Sequence, residues 1–361
     1  MMKCYLSISI LLSTVLSIML GFGNFTSVIT TAFSQEFNGN SEYHYPVVHK
    51  IELSVQTIEK QGGNLYAYQL DSHKIYDPKT SLLLNDITDR YATGPTIPGP
   101  TLMIEEGDSV ELTLTNPEVN GVPGMVGIHV HGIDYPLSSD GTLKVVNGLR
   151  NEGVFPGQSI TYHYSAGPST AGTWPYHDHT LGLNPTGMNM NGAETLGLFG
   201  NLVIDSHTGK TVALVDGAPT KVNIADISKD ILCYVTDDAF WCDEIDYRNF
   251  AKHKALWENP TIGAIDGDLI RFHLYGMGTD FHIFELTGYD WLDPGTTQII
   301  KQKKFGPLEN HVFTIKAKNG IAEYRDTITS HELSGMKGSF VVDSNGQSIQ
   351  GKSPLEVDNR I

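Results

Sequence analysis

The sequence predicts an all-β protein built from two Greek-key β-sandwich domains. Three observations carry that expectation. From Tyr45 onward, short stretches alternate apolar and polar residues and are separated by turns that use the chain's 37 Gly and 17 Pro. Alternation places one set of side chains on a core face and the other in solvent, which is how a strand in a sandwich reads. One stretch, GDSVELTLTNP from Gly107 to Pro117, returns as DGDLIRFHLYG from Asp266 to Gly276. Each copy is followed by a histidine-containing stretch and later by a Gly-rich apolar one, GLFGNLVI and GMKGSFVV. The chain therefore reads as an internal duplication.

Taken in order, the N-terminus comes first. Lys3 is the only charge before Glu36, an apolar run extends from Tyr5 to Phe22, and Ala32-Phe33-Ser34 offers small residues for cleavage. Residues 1–34 are expected to be a signal peptide, with an uncleaved membrane anchor as the alternative. Either places the rest of the chain outside the cytoplasm, secreted, periplasmic or on the cell surface, with membrane contact only if the segment stays uncleaved. The first domain is expected over 35–206. Lys50 to Val55 alternates there, as does Ser109 to Thr115, where Val110, Leu112 and Leu114 share a face. The second is expected over 207–345, with the junction near Ser206 to Gly217 and a tail at 346–361. Ile227 to Pro260 breaks the rhythm and is expected to be a long excursion.

Beyond Cys4, Cys233 and Cys242 are the chain's only cysteines. In an oxidising compartment they are expected to pair as a disulfide, with a thiolate metal ligand as the alternative. The formal net charge of −17 excludes a phosphate backbone as the natural partner, so no nucleic acid is expected.

The chemistry concentrates in two His-x-His pairs, His129-Val130-His131 and His177-Asp178-His179. Residues two apart on a strand face the same way, with Cα atoms about 6.5–7 Å apart. Each pair can serve two neighbouring ions, and two facing pairs make a dinuclear site. Imidazole suits copper, zinc, iron and nickel. His163, His273 and His311 are expected in strands and His44, His49, His73, His207 and His253 in termini or loops, all structural or exposed. Met188 and Met190 could offer thioethers to Cu(I), but packing is their simpler role.

The stretches TIPGPTLMIEEGD, IHVHGIDYPLSSDGT and GTWPYHDHTLG with GLFGNLVI resemble the first domain of multicopper oxidases, and of two-domain small laccases in particular. The resemblance runs from about Ile51 to Ser344. It implies two cupredoxin-like domains, copper as cofactor, and a homotrimer in which domain one of one subunit meets domain two of the next. The first-domain ligands it implies are His129, His131, His177 and His179. Copper nitrite reductases are a further relative, but their cysteine after the histidine of Tyr-His-Cys is Asp178 here, so nitrite reduction is not expected.

The second domain departs from the family. Where the resemblance implies further cluster histidines, HIFELTG keeps His282 but has Glu285 and Thr287. Where it implies His-Cys-His, YRDTITSHELSGM has Arg325, Asp326 and Thr327, keeping His331, Gly335 and Met336. A blue copper site needs a thiolate. His282, Asp326, His331 and Met336 could still hold a non-blue Cu(II) or Zn(II), or form a polar cluster without metal. Glu285 could pair with Arg325 or join the first-domain histidines as an extra ligand. Three functions follow: an oxidoreductase with a reduced copper complement, a non-catalytic copper carrier or buffer, or an assembly partner in a mixed trimer with a paralogue.

Overall fold

The computed structural model describes residues 44–59, 63–142, 153–180, 196–206 and 209–349. The expected signal segment, Met188, Met190, His207 and most of the tail lie outside the described residues. Among the described residues, no helix is long and apolar enough to cross a membrane.

Two sheets are drawn from residues 48–205. One orders β3 (Leu83–Asp86), β2 (Leu65–Tyr76), β1 (Val48–Ile58), β5 (Ser109–Asn116) and β7 (Gln158–Ser165). The other orders β4 (Leu102–Glu105), β9 (Phe199–Asp205), β8 (Gly172–His177) and β6 (His129–Val130). Residues 210–343 supply the rest. A seven-stranded sheet orders β11 (Ala218–Asn223), β10 (Lys210–Val215), β21 (Asn310–Lys316), β16 (Leu269–Gly276), β12 (Lys229–Val235), β13 (Phe240–Asp246) and β14 (Lys252–Glu258). A five-stranded sheet orders β15 (Ile262–Ile265), β23 (Lys337–Asp343), β22 (Gly320–Asp326), β17 (His282–Leu286) and β20 (Gln302–Phe305). A short pair, β18 (Trp291–Leu292) with β19 (Ile299–Ile300), flanks them.

The duplication is visible in the ladders. β1 runs parallel to β5 as β12 does to β16. β4 runs parallel to β9 as β15 does to β23. β6 pairs antiparallel with β8 as β17 does with β22. Alternation explains the burial: along β5, Val110, Leu112 and Leu114 are buried and pack with Ile51, Leu53 and Val55 of β1 in one core. Phe272, Phe284, Phe313 and Phe340 fill the second core between its two sheets.

A third apolar cluster joins the sandwiches, with Ile97, Phe199 and Val203 from the first meeting Leu232, Tyr234, Trp257 and Tyr275 from the second. Buried polar contacts cross the same boundary. Arg271 binds Asp230 through Nε and Nη2, each at 2.6 Å, and reaches Asp205 at 3.2 Å. The Thr173 hydroxyl lies 2.6 Å from His273 Nδ1.

Two expectations need correction. Ile227 to Pro260 is no excursion: it folds as β12, β13 and β14, one side of the seven-stranded sheet. All seven residues of β12 are buried, so the polar–apolar alternation that marks a one-sided strand is absent. The Cys233–Cys242 disulfide does form, across directly opposed residues of β12 and β13. His49, His73 and His253 also lie in strands, β1, β2 and β14, and are buried. His49 and His73 link ring to ring at 2.8 Å, between Asp108 at 3.1 Å and the Tyr91 hydroxyl at 2.9 Å.

Candidate metal centre

β6 and β8 bring the four first-sandwich histidines together. His129 sits directly opposite His177, and Val130 opposite Tyr176. Val130 and Tyr176 turn into the core, so the histidines turn out from it. The strands end within the motifs, yet the pairing continues: the His131 N–H donates to Pro175 O at 3.0 Å, and Thr142 bridges His179. Gly132 closes the turn after His131 at φ +64°, where a Cβ would stand 2.0 Å from the Trp174 ring. Only glycine fits there.

Ring centroids stand 5.0 Å apart for His129–His131, 5.7 Å for His129–His177 and 5.4 Å for His129–His179. They stand 5.2 Å apart for His131–His177 and 5.5 Å for His177–His179. His131 Nε2 and His177 Nε2 approach to 3.1 Å. Two tautomers follow from the acceptors the rings face. His129 Nδ1–H donates to Asp140 O at 2.7 Å, and His177 Nδ1–H to Asp178 O at 3.0 Å. The His129 ring therefore presents an Nε2 lone pair, the atom a metal takes, and the His177 Nε2 lone pair faces His131 Nε2.

Electrostatics agrees. Burial pushes His129 below the ordinary imidazole range, although its bond to Asp140 O opposes this, and like charge on His177 adds to the fall. Burial and the repulsion of His177, His129 and His179 push His131 down to about 3. These two rings are neutral near pH 7, as ligands must be. His179 Nδ1 is buried with no hydrogen-bond partner among the described residues. Such an orphan costs about 1–3 kcal/mol, which coordination would offset. The donor set fits a borderline-soft ion such as copper.

Asp178, between two of the histidines, enters the sequence reading only as the residue in place of a cysteine, with no role of its own. Its Oδ1 accepts the Gly127 N–H at 2.8 Å and the Thr180 hydroxyl at 3.0 Å. Thr180 also binds Met125 O at 2.9 Å. The carboxylate thus ties the segment entering β6 to the segment leaving β8. Burial pushes its carboxyl up to about 6 against those bonds. Its signal in the sequence is the inward register implied by its place between two outward histidines.

The second-sandwich positions assemble differently. Glu285 lies directly opposite Arg325 on β17 and β22, and Arg325 Nε and Nη2 both reach Glu285 Oε2 at 2.8 Å. Arg325 Nη1 adds Glu332 at 3.2 Å. Asp326 meets His282 and His331, and the three are the only group of three or more His, Cys, Asp or Glu among the described residues whose ligand atoms all lie within 4.8 Å of one another. Met336 is buried in the adjoining core, its main chain bonded to Asp326 N and His331 O.

Residues 84–209 match the family described as Multicopper oxidase. A probable nitrite reductase–hydroxylamine oxidoreductase fusion protein from Kuenenia stuttgartiensis is 26% identical over 257 residues, 69% of this chain and 28% of that protein. The chain spans only about a quarter of the length of such curated relatives, 24% for the copper-containing nitrite reductase of Pseudomonas chlororaphis. Among solved structures, the multicopper oxidase mgLAC superposes with a TM-score of 0.53 at 17% identity, over 81% of this chain and 86% of that one. Copper nitrite reductase from Nitrosomonas europaea gives 0.52 at 14% identity, over 86% of this chain and 99% of that one. Residues 84–209 thus resemble the multicopper oxidase family, in an all-β chain that shares its cupredoxin-like fold with multicopper oxidases and copper nitrite reductases.

Proposed function

We propose that this chain is an exported copper-binding protein of the multicopper oxidase family, with copper held by His129, His131, His177 and His179, and that it acts as an oxidoreductase with a reduced copper complement. The observation that supports it most is the cluster itself: four imidazoles on paired strand ends, with His129 presenting an Nε2 lone pair and His179 a buried Nδ1 that has no hydrogen-bond partner among the described residues. Bound copper would supply one-electron redox chemistry. The chain's own residues fix the rings: Asp140 O and Asp178 O set two tautomers, and the Asp178 side chain holds the two strand ends in register. On this reading residues 1–34 are the export signal, 35–206 the copper-bearing domain and 207–345 its degenerate repeat. The assembly is a homotrimer, as the resemblance to small laccases implies.

A second reading is favoured by one observation. The second sandwich offers no thiolate, because both its cysteines are in the disulfide. Electron entry through a blue copper is therefore not available within the second sandwich, and a carrier, or a subunit that pairs with a complete paralogue, would need none. The test is copper content per chain of the untagged full protein, with visible and EPR spectra, followed by turnover with a phenolic donor and with nitrite. Copper bound without a blue band, lost in His129→Ala/His177→Ala, and turnover by the protein alone support the oxidoreductase. Copper without turnover supports the carrier, and co-purification of a paralogue the mixed assembly. Full copper retention in the double variant would remove the four-histidine site.

A further inference from the structure

Three buried side chains of the second sandwich converge outside the four-histidine cluster. His282 opens β17, Asp326 closes β22, and His331 lies in the short helix Thr329–Ser334. They are 1%, 0% and 8% exposed. Asp326 Oδ2 lies 2.8 Å from His282 Nδ1 and 2.7 Å from His331 Nδ1. Asp326 Oδ1 accepts the main-chain N–H groups of Ile283 at 3.1 Å and Ile328 at 3.0 Å. An ionised carboxylate has about four acceptor positions, and all four are engaged.

The spacing distinguishes protons from an ion. A charge-assisted N–H···O bond runs about 2.7–2.9 Å. Two ligands on one tetrahedral ion, each about 2.0–2.1 Å from it, stand roughly 3.3 Å apart. Both imidazole–carboxylate contacts fall in the first range. The neighbouring positions tell the same story, since Glu285 and Arg325 satisfy each other across the same two strands.

We propose that His282, Asp326 and His331 form a hydrogen-bonded clamp that takes no metal ion between its carboxylate and the two Nδ1 atoms. The carboxylate sits between the two imidazoles as the acceptor of both Nδ1 protons and pins the helix Thr329–Ser334 to β17 and β22. Copper per chain is then set by sites other than these two imidazole–carboxylate contacts. The inference does not depend on the four-histidine reading, and the two fail separately.

The experiment uses full-length protein with zinc as a diamagnetic probe, following the histidine ring N–H resonances in 15N-histidine-labelled wild type. The Nδ1–H signals of His282 and His331, assigned with His282→Gln and His331→Gln, are expected to persist in excess zinc. Metal content per chain, for copper and for zinc, is expected to be unchanged in His331→Ala and, should that variant fold poorly, in His331→Gln. Loss of both ring N–H signals at one equivalent of zinc, or a drop of one ion per chain in either His331 variant, would overturn the clamp. Unchanged copper in His129→Ala/His177→Ala would instead overturn the four-histidine site and leave the clamp standing.

Discussion

At the scale of single residues, the side chains that matter here act by fixing others. Asp178 has no exposed surface to speak of, yet it holds Gly127 and Thr180 and through them both histidine pairs. Asp178→Ala leaves the buried Gly127 N–H without its acceptor, for an expected loss of about 1–3 kcal/mol in urea unfolding and weaker copper retention. Asp326 carries a pH signature. Burial opposes its ionisation, but hydrogen bonds from His282, Ile328 N, His331 and Ile283 N outweigh burial and hold the carboxyl at about 2. A carboxyl depressed on folding contributes stability that is complete above its ordinary value near 4 and is lost as pH falls towards 2. Asp326→Asn should flatten the stability profile of the full chain in that window, measured by thermal melts between about pH 2 and pH 5. The histidine pairs were legible from spacing alone. Asp178 was not, because its role depends on Gly127, a residue far away in the chain.

At the scale of elements, cross-strand register decides what two distant substitutions mean together. Glu285 and Arg325 stand 40 positions apart and become neighbours only because β17 pairs with β22. The pair is partly exposed, so its contribution is small by the ordinary measure of surface ion pairs. Glu285→Ala is expected to change unfolding free energy by about 0–1 kcal/mol. It should also leave copper per chain unaltered, measured by metal analysis. Loss of copper would make Glu285 a ligand. β12 shows the opposite limit of legibility. Its buried run of seven residues gives no alternation, so the central strand of a large sheet read as an interruption. β5 kept its alternation within a one-sided sheet position and was recognisable.

At the scale of the whole molecule, the two sandwiches are locked by apolar packing and by a buried charge network. Arg271 is 5% exposed and Asp230 0% exposed, and the two meet through a two-pronged contact that Tyr247 extends with a 2.6 Å bond to Asp230. Burial opposes ionisation of Asp230, but Arg271 and His273 outweigh it and hold the carboxyl far below the usual range. Arg271→Met strands that charge and is expected to cost about 3–5 kcal/mol, read from denaturant unfolding. Adding Asp230→Leu should recover most of the loss, because replacing both partners with apolar groups removes the unpaired charge. The sequence by itself determined the all-β class, the duplication and the two histidine pairs, because strand alternation, turn residues and His-x-His spacing are local. Only the tertiary structure decided which carboxylates meet which histidines, where the β12 hairpin belongs and how the sandwiches join. Those contacts link residues distant in the chain, and their energies depend on burial and partner geometry that no local pattern encodes.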